Sequence, residues 1–330
     1  MSNGRFDFHE MSDNIEIDHN FSGQNEIKEK IYRFQKNKGA VVGFILIVLI
    51  ILLAIFGPII SPYTHDAINT AYQNLPPRIP GLEKLGIFDG TWKGINVYEK
   101  AGLYDKYFYL GTDSLGRDIF TRVFSGARIS LLIAVIAAGV DMIIGVTYGL
   151  ICGYYGGKVD IIMQRLIEII HSIPRLVIVT MLMIVLKPGV GSIIVALLIS
   201  GWIGMSRLVR AQTLKLKEQE YVLACRTLGV RDRNIIFGEI LPNTFGQIII
   251  MTMTSIPSAI FMESFLSYIG LGIPAPQASL GSMISDGYKT MLTYPYQLLV
   301  PAVLFAVLMI ALNLVADGIR DALDPKMKDM

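Results

Sequence analysis

Three runs without a single charged residue dominate this chain of 330 residues: positions 39–60 (22 residues), 240–262 (23) and 290–316 (27). About 20 apolar helical residues cross the ~30 Å hydrocarbon core of a bilayer, so each run suffices alone. The composition agrees, with 52% hydrophobic residues, 17% charged residues and a mean hydropathy of +0.51. A soluble domain carries about a quarter charged residues and shorter apolar runs.

Three further segments read as spans. Positions 129–155 are apolar apart from Asp141, and 168–186 run clean after His171 and Arg175 in the first two turns. Positions 189–206 are uncharged and 18 residues long, enough to cross with little tilt. The expectation is an all-α polytopic membrane protein with six transmembrane helices.

Basic residues in short loops set the orientation. Lys28, Lys30, Arg33, Lys36 and Lys38 crowd the start of the first helix, and seven basic residues lie between 206 and 239. The Lys187-Pro188 turn has one, and 264–289 has only Lys289. Both termini and the 206–239 loop are therefore expected in the cytoplasm, with 61–127 outside. The seven basic residues of that long segment are no objection, because long loops cross largely regardless of charge. Residues 1–27 are polar and acid-rich (Asp7, Glu10, Asp13, Glu16, Asp18) and read as a mobile tail. They are no signal peptide, since the first apolar run begins only at Gly39, is too long and lacks a small-residue cleavage site. Cys152 and Cys225 fall at or near the cytoplasmic face, where a disulfide is not expected. A net charge of +2 gives no sign of a nucleic-acid partner.

Between the fourth and fifth spans sits a polar island, Glu220-Tyr221-Val222-Leu223-Ala224-Cys225-Arg226-Thr227-Leu228-Gly229, closing on Leu241-Pro242-Asn243. Helix formers run to a glycine suited to a left-handed C-cap, which predicts helix, bend and second short helix. Such a segment between spans suits the grip of a water-soluble partner. Charges inside spans are expensive in lipid and count as functional candidates by default. Glu168 and His171 sit with Arg165 and Arg175, where local pairing suffices. Glu263 either pairs or caps near its helix end, and Asp141 either lines a polar pathway or hydrogen-bonds a neighbouring helix. Pro257, beside Thr252, Thr254 and Ser255, marks either a hinge or a packing kink. Gly111–Asp118 holds glycines and two aspartates but lacks phosphate-loop spacing, and reads as a surface turn before an amphipathic helix through Ile119, Phe120, Val123 and Phe124. Gly157-Lys158 continues as Val159, so no P-loop is present; no metal-hydrolase pattern or nucleophile elbow occurs either. No catalytic and no metal-ligating residue is expected.

Six motifs in order resemble the C-type inner-membrane permease of oligopeptide and dipeptide ABC importers, a family that also takes in nickel and glutathione transporters. They are Gly111-Thr112-Asp113-Ser114-Leu115-Gly116-Arg117-Asp118, Gly126-Ala127-Arg128-Ile129-Ser130-Leu131, Gly153-Tyr154-Tyr155-Gly156-Gly157, Ser206-Arg207-Leu208-Val209-Arg210, Glu263-Ser264-Phe265-Leu266-Ser267-Tyr268-Ile269-Gly270-Leu271-Gly272 and Asp317-Gly318-Ile319-Arg320-Asp321-Ala322-Leu323-Asp324-Pro325. The polar island resembles that family's cytoplasmic "EAA" loop, although Leu223-Ala224-Cys225 stands where the family reads Glu-Ala-Ala, and Glu239 where many permeases have Ile.

The resemblance implies a type I ABC importer permease fold and a subunit without catalysis or cofactor of its own. It further implies a homologous permease as heterodimer partner, two ABC ATPases carrying ATP and Mg, and an extracytoplasmic substrate-binding protein. The docking residues would be Glu220, Tyr221, Ala224, Arg226, Leu228, Gly229 and Arg233. Pathway-lining candidates are Asp141, Ser255, Pro257 and Glu263. The organisation expected is a cytoplasmic tail (1–38), a first span (39–60), an extracytoplasmic segment with its amphipathic helix (61–127), a five-helix core (128–316) with docking loop 206–243, and a cytoplasmic tail (317–330). The main rival, an ion-coupled secondary transporter, calls for an inverted repeat and facing buried charges. Neither is evident in the sequence.

Overall fold

The computed structural model describes residues 23–323. The expected mobile tail up to position 22, and Asp324-Pro325 of the last motif, lie outside the described residues. Helices α1 (Gly23–Lys36) and α2 (Lys38–Ile60) meet at Asn37, so part of the expected N-terminal tail is helical. The Asn37 side-chain oxygen caps α2 by accepting from Ala40 N (3.1 Å), and its Nδ2 donates to Asp321 Oδ2 (2.9 Å). Large apolar side chains of α2 face outward, with Ile59 75% and Ile45 59% exposed, as suits lipid contact. Its small residues Gly43, Ala54 and Gly57 face inward.

The segment after α2 folds into a small cap. It holds an antiparallel pair, β1 (Thr91–Trp92) with β2 (Ile95–Asn96), and a short helix α3 (Val97–Lys100). Leu75, Tyr98 and Phe108 form its core, and Tyr98 Oη donates to Pro76 O (2.8 Å). Gln297 ties the cap to the membrane part by donating to Asn74 Oδ1 (2.8 Å) and Thr112 O (3.0 Å).

Asp118 then caps α4 (Ile119–Tyr155) by accepting from Thr121 N at 2.9 Å. Arg117 pairs with Asp113 (2.7 Å), so the motif around them is a structural turn, as its residues suggest. Burial pushes the Asp118 carboxyl above the usual carboxylate range. The 37 residues of α4 form one helix, roughly 55 Å long at 1.5 Å per residue. The amphipathic stretch through Ile119, Phe120, Val123 and Phe124 is therefore continuous with the helix of the second span.

The third span differs from the expectation more sharply. It is a pair, α5 (Gly157–Ser172) and α6 (Arg175–Leu186), bent by 78°. Pro174 has no N–H to donate and pushes Ile173 into an extended conformation, which breaks the helix there. Five helices are long and apolar enough to cross a membrane, and the bent pair supplies a sixth if taken as one span.

Helix α7 (Val190–Leu216) returns, followed by α8 (Glu220–Thr227), α9 (Asp232–Ile235), α10 (Leu241–Leu266), α11 (Leu280–Thr290) and α12 (Tyr296–Leu323). Helix α12 runs through the boundary expected at 316/317. The main core gathers α2, α4, α6, α7, α10, α11 and α12; a second core lies under α8 and α9.

Along α4, Gly145, Gly149 and Gly153 recur at intervals of four and face α7. A Cβ at these positions would fall 2.6 Å from Met205 Cβ, 2.6 Å from Ser206 O and 2.7 Å from Thr213 Cβ. Only glycine admits so close an approach, the small-residue packing that joins helices in lipid. Gly149→Val should therefore cost about 1–3 kcal/mol of stability through overpacking, read as a lower Tm of the detergent-purified protein. Gly139→Ala, where a Cβ meets nothing within 4 Å, should leave Tm unchanged. Indistinguishable Tm values for the two variants would rule out this contact as a determinant of the fold.

Candidate functional site

The polar island forms a helical hairpin beyond the end of α7. Helix α8 ends in a Schellman turn, in which Gly229 N–H bonds Arg226 O and Val230 N–H bonds Cys225 O, both at 3.0 Å. Gly229 has φ +76°, a conformation that glycine adopts without the Cβ penalty of other residues. The chain re-enters helix at α9.

Two boundaries of the expected 206–243 loop are corrected. Helix α7 runs to Leu216, and α9 does not stop before Leu241-Pro242-Asn243. Instead the helix widens to a π turn over Ile236–Ile240, with Leu241 N–H reaching Ile236 O, and continues as α10. The wider turn takes Pro242 into an otherwise continuous helix. Asp232–Leu271 is thus one 40-residue helical unit that joins the hairpin to the fifth span.

The hairpin is seated on α4 and α7. Val222 of α8 is fully buried in a cluster with Leu150, Tyr154, Val209, Ile235 and Ile240. Tyr154 Oη donates to Asp232 Oδ1 (2.8 Å), and the Arg226 guanidinium lies 4.7 Å over the Tyr154 ring. Lys217 Nζ donates to Gly153 O (2.8 Å). Beneath the seat, Arg210 Nε donates to Asp160 Oδ1 (2.6 Å), joining α7 to α5.

Glu220, Tyr221, Ala224, Arg226, Leu228, Gly229 and Arg233 are all exposed on this hairpin. Arg226 has a second role, because its stacking on Tyr154 holds α8 in place. Burial, with Glu239 nearby, pushes the Tyr221 hydroxyl up, so it stays a neutral hydrogen-bonding group near Asn243 Nδ2 (3.4 Å). Sequence reasoning passed over Leu223, Val230 and Phe237, which are exposed beside the 81% exposed Leu228. Their signal was apolar side chains within the basic, polar stretch 206–239.

The four pathway candidates are not brought together. Glu263 is fully buried and accepts from Ser130 Oγ and Ser267 Oγ (both 2.9 Å). Ser130 Oγ in turn accepts from Leu280 N (3.2 Å), so this carboxylate joins α4, α10 and α11. Pro257 is buried as well. Both residues are enclosed by this chain's own helices in this structure. Asp141 is 8% exposed and lies against Gly201; Ser255 is half-buried and donates to Thr252 O (2.8 Å). Glu168 pairs with Arg165 (2.6 Å), as its sequence neighbours suggest.

Comparisons with known proteins agree with this architecture. The family described as binding-protein-dependent transport system inner membrane component matches residues 145–329, and the N-terminal TM domain of oligopeptide transport permease C matches residues 27–77. The chain is 45% identical to the oligopeptide transport system permease protein OppC of Bacillus subtilis, covering 91% of this chain and 90% of that protein. It is 43% identical to the dipeptide transport system permease protein DppC of the same organism, over 90% and 84%. The oligopeptide permease OppC of Escherichia coli is 36% identical, over 95% and 97%. Among solved structures, a chain of the inward-facing MetNI methionine ABC transporter superposes with a TM-score of 0.51 at 17% identity, covering 62% of this chain and 96% of that one. The fold is that of an ABC importer permease.

The seat of the hairpin can be probed without any partner. Tyr154→Ala removes both the ring under Arg226 and the bond to Asp232, so trypsin should cut at Arg226, Arg231 or Arg233 severalfold faster than in the parent protein. Tyr154→Phe keeps the ring and should sit between the two. Equal cleavage rates in all three proteins would mean that Tyr154 does not hold the hairpin.

Proposed function

The chain belongs to the family of binding-protein-dependent transport system inner membrane components, and from that membership we propose that it is the permease subunit of an ATP-driven importer for oligopeptides or dipeptides. It works as a non-catalytic membrane subunit. Its partners are a second, homologous permease, two cytoplasmic ATPases that carry ATP and Mg, and an extracytoplasmic binding protein. Peptide is preferred to nickel or glutathione because the relatives of highest identity reported above are named for oligopeptides and dipeptides.

The observation that carries this reading is the hairpin: exposed on its outer side, seated on α4, and continuous with α10 through α9. An ATPase that grips α8 and α9 acts directly on a membrane-spanning rod, and nucleotide-driven closure tilts that rod to change access. The energy enters through the partner's preference for one state; the chain converts it into a shift between conformations. On this reading the hairpin lies in the cytoplasm with both termini, from the basic residues of 206–239 and from six crossings when the bent pair counts as one span.

Orientation is checked by labelling Cys225, which is half-buried, with a membrane-impermeant thiol reagent; Cys152 is fully buried. Labelling should require permeabilised cells, and reaction in intact cells would reverse the topology. Coupling is checked with Gly229→Val in the reconstituted importer. A Cβ at Gly229 meets nothing within 4 Å, so the variant inserts normally, but its positive φ is costly for a β-branched residue. The distorted bend should weaken ATPase retention or release ATP hydrolysis from peptide uptake, while Arg226→Ala should be milder. Wild-type retention and uptake in Gly229→Val would remove the hairpin as the coupling element. The purified chain by itself should neither hydrolyse ATP nor carry peptide.

A further inference from the structure

Beside the break in the third span lies a cavity of about 450 Å³, lined in part by His171, Arg175, Ser200, Gly201 and Arg207. Its polar groups are poorly satisfied by the chain. Arg175 Nε and Ser200 Oγ are buried without a hydrogen-bond partner, and Arg207, which is exposed, makes neither an ion pair nor a hydrogen bond among the described residues. The one acid that acts on Arg175 is Asp141, which sits behind Gly201, where a Cβ would fall 2.0 Å from its Oδ2. No ion pair within 4.0 Å joins them, and Asp141 Oδ1 is itself without a partner. Glu168 is engaged with Arg165. Two guanidinium groups therefore line the cavity against the one carboxylate behind Gly201, which leaves positive charge uncompensated there.

We propose that this cavity binds a carboxylate, the free C-terminus of the peptide in transit. This rests on the peptide-permease reading above. The guanidinium fork matches a carboxylate with paired hydrogen bonds, and Ser200 Oγ adds a donor. A lipid phosphate shares this anionic chemistry, and the competition below separates the two sources. Pro174 makes room for the site by breaking the helix and turning α5 away from α6.

The test uses the complete complex of this chain, its partner permease and the ATPases in nanodiscs, with the binding protein left out so that its own preference does not enter. The probe is a tripeptide acid carrying a photoreactive benzoylphenylalanine, competed with Ala-Ala-Ala as the free acid or as the C-terminal amide. Photolabelling of this chain should be displaced by the free acid at concentrations about tenfold lower than by the amide, a difference typical of one charged contact. Arg175→Gln should erase that difference, and Arg175→Lys should restore part of it. Equal competition by acid and amide, absence of displaceable labelling, or displacement by phosphatidylglycerol but not by Ala-Ala-Ala would each overturn the proposal. If Arg175→Gln fails to assemble, the acid–amide comparison on the parent complex decides alone. Peptide uptake by the same complex with its binding protein tests the functional reading separately: uptake with no acid preference in the labelling sinks only the cavity.

Discussion

Lipid offers no hydrophobic drive to bring helices together, so association rests on close van der Waals contact and on hydrogen bonds. The crossing of α4 and α7 meets that requirement through glycine. With Gly145, Gly149 and Gly153 stacked against α7, the backbone of one helix touches the other, and carbonyls such as Ser206 O lie within contact distance. The hairpin depends on this closeness. It departs from the end of α7 and rests on Tyr154 of α4, and Lys217 reaches Gly153 O only because the two helix ends are adjacent. The Asp160–Arg210 pair extends the same cluster to α5.

The opposite end of the bundle is fixed by polar groups. Asp113 engages both Arg117 and Arg122, Asp118 caps α4, and Glu263 gathers serines from α4 and α10 with the start of α11. Each is a buried polar group with named hydrogen-bond or ion-pair partners, which is what lets such groups persist in a low-dielectric interior. The relaxed elements lie elsewhere. Pro174 breaks the third span, and Ile236–Ile240 widens where the hairpin meets α10. Under the proposed function, force enters at one relaxed element and the carboxylate cavity opens beside the other, while the far end keeps its register. The buried acids have local partners or stand behind glycine, which fits a pathway gated by helix movement better than a relay of protons.

The sequence alone determined three of the spans, because uncharged runs of 22 residues or more leave a helix across the bilayer as the natural outcome. It also determined the turn at Gly229, since helix formers that end on glycine encode their own cap, and the turn around Asp113 and Asp118, where Arg117 and Thr121 are partners only a few residues away. These features are local, and local chemistry is readable in one dimension. Tertiary structure decided the rest. Whether Glu263 faces a pathway or a serine cluster depends on Ser130, which is 133 residues distant in the chain. Whether α9 ends before Pro242 or runs on depends on the packing of Ile235, Ile236 and Ile240 beneath α8. The cavity at Arg175 exists only because a broken helix is laid against Ser200 and Gly201. Burial and pairing of polar groups are properties of neighbours in space, and no spacing along the chain specifies them.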